Sequence, residues 1–330
     1  MKCAVFSCKG LGDGLLALVL ANNLKLDGND VTVFHPFLQG LQSWFPKIFI
    51  LPFPKMEALT QFDRFFIIYE KSPWMQQILE FCMNAHKEKT FVLNPIATAN
   101  RDYPYWEVGK FDGTKPFAHN LVQFSKDTLQ INGAIAGNGI TLPSDVNVHK
   151  YPQRVILHPT SSRPGKNWKE TKFIQLAEEL EKKGYEPVFI LTKEEKAEWP
   201  ALRFLVPEFD SLDVMAAFVA EAGGMIGNDS GIGHLASSLG LPTVTICRSK
   251  MTANFWRPAF APNVLVTPPT WLPNLKGLRL RDKYWKDAIT VSRVLTTYLT
   301  LSKKANSIST EGSTIDKLVD GAELGVFGDE

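Results

Sequence analysis

The chain has 330 residues, with 36 basic and 34 acidic side chains, 45% hydrophobic residues and four cysteines. So little cysteine excludes a disulfide scaffold, so much apolar content excludes a disordered chain, and aperiodic glycine excludes a collagen. At roughly 100–200 residues per domain, the length predicts two domains, each with its own core and with a cleft between them as the natural ligand site.

In chain order, residues 2–7 read as a short strand, Gly10-Leu-Gly-Asp-Gly14 as a glycine-rich turn and 15–26 as an apolar helix. Further strands fall at 31–34, 65–69 and 90–93, which predicts a parallel sheet with crossover helices, and 94–140 is too irregular to assign. The polar stretch 141–153, with Pro143 and Pro152, reads as a linker. A second series follows: strand 155–157, a loop rich in Ser, Thr, Arg, Gly and Lys, helix 172–183 stopped at Gly184, and strand 187–191. It continues with helix 211–222 closed by Gly223-Gly224, strand 225–227, turn 228–233, helix 234–239 and strand 243–247. Residues 305–330 are rich in Gly, Ser, Thr and acid and read as a mobile tail. The expected division is therefore 1–150 and 151–304, two Rossmann-like domains, followed by the tail 305–330.

Charge is uneven along the chain. Residues 1–150 carry 14 basic and 13 acidic side chains, 151–304 carry 21 and 15, and 305–330 carry 1 and 6. The second half is suited to an anion, although a solvated surface would look the same. The opening residues have too short an apolar run for a signal peptide and no window reaches ~18 uninterrupted apolar residues, so a cytoplasmic location is expected. Cys3, Cys8, Cys82 and Cys247 are scattered, without Cys-x-x-Cys pairing, and read as reduced packing thiols, so no metal site is expected.

Three segments carry chemistry. His158-Pro-Thr160-Ser161-Ser162-Arg163-Pro-Gly-Lys166-Asn-Trp168 follows a strand and precedes a helix. Its hydroxyls, backbone N–H groups and two cations suit a diphosphate, yet Gly-Lys-Ser/Thr is missing, so it is not a Walker loop, and a plain helix-capping loop fits as well. Gly227-Asn-Asp229-Ser230-Gly231-Ile-Gly233-His234 opens a helix, and its small residues expose N–H groups to a second anion. Asp229 as an N-cap and His234 as a satisfied helix histidine are the structural alternatives. Gly10-Leu-Gly12-Asp13 ends the first strand without the Gly-x-Gly-x-x-Gly spacing of a dinucleotide fingerprint. Asp13 there suits a general base for an acceptor hydroxyl, or equally a helix cap.

Taken together, Gly12-Asp13, Ser161-Ser-Arg-x-x-Lys166-x-Trp168 and Asp229-Ser-Gly-Ile-Gly-His234-Leu-Ala followed by Leu241-Pro-Thr resemble the ADP-heptose lipopolysaccharide heptosyltransferases, glycosyltransferase family 9. The resemblance implies the GT-B architecture, two Rossmann-like domains whose parallel sheets face a central cleft. It implies an inverting transferase with no metal or other cofactor, using a nucleotide sugar, ADP-heptose, as co-substrate. Asp13 would be the base, with Lys9 and Gly12 on the acceptor side. Thr160, Ser161, Ser162, Arg163 and Lys166 would hold the donor phosphates, with Asp229, Ser230, Gly231, Gly233 and His234 at the diphosphate and sugar. Glu194 or Glu195 would meet the ribose. The acceptor implied is a lipopolysaccharide-type glycan, lipid A–Kdo or a growing core. The chain departs from the family at Ser7, where a basic residue is usual and Lys9 is the nearby substitute, and at Val19, where proline is usual.

Residues 248–286 hold eight basic side chains against the single acid Asp282, interleaved with Phe255, Trp256, Trp271, Tyr284 and Trp285. This suggests peripheral contact with an anionic membrane surface, against an ordinary packed loop; no nucleic-acid motif is present. Within enzymes the alternatives are a GT-B epimerase or a transferase using a UDP sugar. Outside them stands a nucleotide- or glycan-binding relative without turnover. A dehydrogenase ranks last.

Overall fold

The computed structural model describes residues 1–94, 111–274 and 278–310. The chain divides into two compact units between Pro143 and Ser144. The first contains β1 (Lys2–Phe6), α1 (Leu11–Leu26), β2 (Asp30–Phe34), β3 (Phe49–Leu51), β4 (Arg64–Ile68), α2 (Pro73–Ala85), β5 (Thr90–Leu93) and α3 (Phe117–Asp127). Its five strands pair in parallel in the order β3-β2-β1-β4-β5. The inner strands read as apolar runs because both faces are covered. Val5, Phe6, Phe65 and Phe66 are fully buried, and Leu15 to Ala21 of α1 are buried around the whole helix, which packs on β2 and α3.

The second unit contains β6 (Tyr151–His158), α4 (Glu170–Lys182), β7 (Glu186–Phe189), α5 (Lys193–Glu198), α6 (Leu212–Ala220) and β8 (Ala222–Asn228). It continues with α7 (Gly231–Ser238), β9 (Thr243–Ile246), α8 (Lys250–Trp256), β10 (Asn263–Val266), α9 (Leu280–Ala288) and α10 (Val291–Thr310). Again all five strands are parallel, in the order β10-β9-β8-β6-β7. Both expected parallel sheets are thus present, and among the described residues no helix is long and apolar enough to cross a membrane.

Several boundaries differ from the sequence reading, those at Gly14 and Gly223-Gly224 for a packing reason. The Gly12-Asp13-Gly14 segment is not a turn but the first turn of α1, with Gly10 as an extended N-cap. Glycine costs about 1 kcal/mol in a helix, but a Cβ at Gly14 would lie 2.6 Å from Leu38 and 2.7 Å from the His35 ring, so close packing decides. Pro152 belongs to β6 rather than to a linker, at a register irregularity between Tyr151 and Val155. Gly223-Gly224 lies inside β8 and does not close a helix. Its neighbours leave no room for side chains: a Cβ on Gly223 would sit 1.9 Å from the Pro152 carbonyl oxygen, and one on Gly224 would sit 2.8 Å from the Tyr298 ring. Residues 305–310, expected in the tail, continue α10; residues 311–330 lie outside the described residues.

Because the obstacle at Gly223 is backbone, Gly223→Ala is expected to destabilise the second unit by about 1–3 kcal/mol, the usual cost of overpacking. A lower urea midpoint would show it; an unchanged midpoint would mean that β6 can move aside.

Candidate functional site

In an open parallel sheet, ligands bind beyond the carboxyl ends of the strands where the winding reverses. In the second unit the winding reverses between the neighbours β6 and β8. The two loops that leave these strands are residues 159–169 and 229–230, the two segments singled out by their chemistry.

Asn228, the last residue of β8, joins them. Its Oδ1 accepts the Trp168 N–H at 3.0 Å and its Nδ2 donates to the Pro159 carbonyl at 2.5 Å, so one buried carboxamide holds both ends of the first loop. Trp168 anchors the loop from the other side. Its Nε1 donates to the carbonyls of Lys286 and Ile289, and the Lys172 ammonium donates to those of Lys286, Asp287 and Ile289. These are the orphan carbonyls at the end of α9, where a cation is favoured. Burial nonetheless holds the Lys172 ammonium below its ordinary pKa.

On this frame Lys166 reaches across to Asp229, Nζ to Oδ2 at 3.2 Å. Lys166 ends a 3-10 turn, Pro164–Lys166, and α4 begins at Glu170, two residues before the expected helix start at 172. Ser161 is tied within the loop, donating to Asn167 Oδ1 at 2.6 Å, while Ser162 and Arg163 are exposed. Asp229 is not the N-cap of α7. Ser230 is, and its side chain makes no cap bond. Gly231 and Gly233 form the first turn of α7, where the Gly233 N–H donates to the Ser230 carbonyl at 3.2 Å.

Three side-chain atoms at this spot are buried without a hydrogen-bond partner: Thr160 Oγ1, Ser230 Oγ and His234 Nδ1. His234 is buried and bonds the Trp256 backbone, so its other nitrogen, Nε2, carries that bond and Nδ1 presents a lone pair. Burial pushes the imidazole down to about 4, outweighing the opposing pull of Asp229 and the Trp256 backbone. Cys247, at the end of β9, feels both Asp229 and Lys166, and burial pushes its thiol up to about 12.

Glu194 and Glu195 open α5 side by side, and the Glu194 carboxylate, bonded to the backbone and to the Thr192 side chain, is held below its ordinary pKa. The Glu195 carboxylate accepts the Thr192 N–H at 2.8 Å while its own N–H donates to Thr192 Oγ1, a complete capping box. Glu194 is exposed beside it. In the first unit, Gly12 is buried in α1, Asp13 is half-buried in the helix's first turn, and Lys9 is exposed. Together with Glu70, the Asp13 carboxylate raises the Cys8 thiol above its ordinary range, after burial itself. Among the described residues no group of three or more His, Cys, Asp or Glu side chains could hold a metal ion.

Sequence reasoning missed Asn228 and Lys172 as organisers of the loop. A polar residue ending an otherwise apolar strand is the signal that Asn228 offers; Lys172, an exposed-looking lysine in a helix rich in glutamate, offers none. The aromatic residues of 248–286 divide. Trp285 is in the core, Phe255 and Trp256 are half-buried, and Trp271 and Tyr284 are exposed, at 78% and 44%.

The model of glycosyltransferase family 9 (heptosyltransferase) matches residues 117–273. The fold is similar to that of ADP-heptose lipopolysaccharide heptosyltransferase II of E. coli, with a TM-score of 0.65 at 16% identity, covering 93% of this chain and 100% of that one. A family 9 glycosyltransferase of Veillonella parvula gives 0.66 at 16% identity, covering 92% and 97%. The E. coli heptosyltransferase WaaC with ADP gives 0.61 at 14%, covering 92% and 100%. At these identities the likeness is one of fold, which is GT-B. No curated protein matches the chain by sequence.

Two outcomes test the site's construction. Asn228→Asp swaps a donor for a carboxylate against the Pro159 carbonyl and is expected to cost about 1–3 kcal/mol in chemical denaturation, the price of an unmet buried group. For His234, the unfolded imidazole titrates near 6.5 and the folded one near 4, so between these values only the unfolded chain binds the proton. Stability is then full above about pH 6.5 and falls as pH drops toward 4. His158, whose imidazole burial also lowers, adds to the fall with the same sign. His234→Gln should make the slope shallower; an identical slope would assign it to other groups.

Proposed function

We propose, from the premise that the match over residues 117–273 makes this chain a glycosyltransferase of family 9, that it transfers heptose from ADP-heptose to a hydroxyl of a lipopolysaccharide-type glycan, with inversion and without a metal. The observation that supports a donor site in the second unit is the set of buried, unpartnered atoms, Thr160 Oγ1, Ser230 Oγ and His234 Nδ1, beside Lys166 and Asp229. Buried polar atoms are normally bonded, and a diphosphate sugar supplies both the oxygens and the hydroxyls that these groups lack. On this reading the hydroxyls of Thr160, Ser161, Ser162 and Ser230, with Arg163, Lys166 and the start of α7 at Gly231 and Gly233, take the diphosphate. The His234 lone pair and the Asp229 carboxylate accept sugar hydroxyls, and Glu194 takes the ribose.

The first unit, Met1–Pro143, binds the acceptor, and the second, which begins at Ser144, binds the donor. Asp13 withdraws the proton from the acceptor hydroxyl, whose oxygen attacks the anomeric carbon from the face opposite the diphosphate as the bond to the leaving group breaks. Lys9 and Gly12 lie on the acceptor side of this step. Negative charge grows on the departing diphosphate, where the Lys166 ammonium and the α7 N-terminus stabilise it electrostatically; this is the role a metal would otherwise fill. The exposed Trp271 and Tyr284, with the cations of α9, support a peripheral contact with an anionic membrane surface.

Calorimetric titration with ADP, UDP, GDP and NAD is expected to show preference for ADP, lost in Lys166→Ala; preference for UDP would move the donor, and no binding would leave a relative without turnover. In turnover, Lys166→Ala should cost about 2–4 kcal/mol of transition-state stabilisation, whereas near-full turnover at saturating donor would remove Lys166 from the mechanism. Asp13→Asn should lower kcat by about 10²- to 10⁴-fold, the scale of a general base's contribution, leaving a measurable residue, while ADP affinity stays within a few fold. Co-sedimentation with phosphatidylglycerol liposomes at low salt should weaken in Trp271→Ala, and the absence of any anionic-lipid dependence would end the membrane reading.

A further inference from the structure

The start of α1 in the first unit is held by a side chain from the end of β2. The Gly10 carbonyl accepts the Gly14 N–H at 3.0 Å and bonds Nε2 of His35, also at 3.0 Å. The His35 ring is fully buried, and its Nδ1 receives the N–H groups of Phe37 and Leu38, each at 3.1 Å. Two amide donors aimed at Nδ1 require a lone pair there, so the proton sits on Nε2 and is donated to Gly10. The chain itself fixes the tautomer.

The ring and the Asp13 carboxylate fill the space that two other side chains would need. A Cβ at Gly14 would lie 2.7 Å and 2.8 Å from the ring's Cδ2 and Nε2, and a Cβ at Gly10 would lie 2.5 Å from Asp13 Oδ2. The Asp13 carboxylate is therefore folded back over Gly10, the residue whose carbonyl His35 grips.

We propose that His35 is a positioning residue for Asp13: its Nε2–H fixes the Gly10 carbonyl and so sets where the Asp13 carboxylate stands. This rests on the reading of Asp13 as the base that activates the acceptor hydroxyl. The two faces of the ring separate by substitution. His35→Asn keeps an acceptor for the Phe37 and Leu38 amides in Asx-turn fashion but has no group that reaches Gly10. His35→Gln keeps a donor long enough to reach the Gly10 carbonyl.

The test measures ADP release from ADP-heptose with a Kdo–lipid A acceptor, beside ADP affinity by calorimetry. His35→Gln is expected to hold kcat within about threefold, and His35→Asn to lower it by about 10- to 100-fold, the scale of an ångström's misplacement of a reacting group. ADP affinity should be unchanged in both, and His35→Asn should add no further loss in an Asp13→Asn background. Equal losses in the two variants, or a full multiplicative loss in the double variant, would overturn the proposal. Should the His35 variants fail to fold, Gly14→Ala displaces the ring from its other side and should reproduce the kcat loss with ADP affinity intact; wild-type kcat would overturn the proposal. A wild-type protein that binds ADP but releases none from ADP-heptose refutes the transferase reading instead. Hydrogen exchange over residues 8–16 then decides for His35: faster exchange in His35→Asn than in His35→Gln supports it, and equal exchange overturns it.

Discussion

The second unit depends on one buried carboxamide. Asn228 ends the central strand beside the point where the sheet reverses its winding, and it bonds backbone on both sides of a ten-residue loop that begins at Pro159. Without it, Lys166 would ride on a loop anchored only through Trp168, and its approach to Asp229 would be a matter of chance. Backbone groups cannot do this work alone, because a loop leaving a parallel strand has no neighbour to complete its ladder. A side chain with one donor and one acceptor is the smallest device that satisfies a carbonyl and an amide at once.

The first unit solves the same problem with a different residue. There a neutral imidazole accepts from two amides and donates to one carbonyl, and it too comes from a strand end, with the glycines around it clearing space. In both units the charged residue of interest stands close to the residue whose carbonyl is gripped. Lys166 lies beyond Pro159 in the loop, and Asp13 lies three residues beyond Gly10. Charged side chains on solvent-facing loops are mobile by nature, and fixing the nearby backbone limits where they can stand at little desolvation cost.

Much of this fold is legible in the sequence, because fully buried parallel strands must be apolar and the residues that follow them must be small or polar. The strands at Val5 and Phe6, at Phe65 and Phe66 and at Val155 to Leu157 announce themselves in this way. The glycines mislead for a physical reason. Gly14 in α1 and Gly223 and Gly224 in β8 look like breakers, yet what they answer to is the closeness of His35, Leu38, Pro152 and Tyr298, residues distant in sequence. The spacing Thr192-x-x-Glu195 is a capping-box signature, and the box forms at the start of α5. Lys166 and Asp229 were legible as candidates but not as partners, since 63 residues separate them. His35 was illegible: nothing local tells a histidine at a strand end that caps a distant helix from one that does not.

The pairing of Lys166 with Asp229 bears on how the proposed transfer would gain its rate. A lysine alone would attract the diphosphate of the bound donor as strongly as that of the departing one, and equal attraction binds substrate without speeding the reaction. Paired at 3.2 Å with a carboxylate, the ammonium has part of its field already answered. On the proposed reading a donor phosphate would share it with Asp229. As the glycosidic bond broke and charge accumulated on the leaving diphosphate, the balance would shift toward the phosphate, and the ammonium's contribution would grow along the reaction coordinate. Asp229, released from part of its ion pair, would at the same moment become a better acceptor for the sugar hydroxyls. The pair would thereby couple hold on the sugar to departure of the diphosphate, a coupling that neither residue would supply on its own.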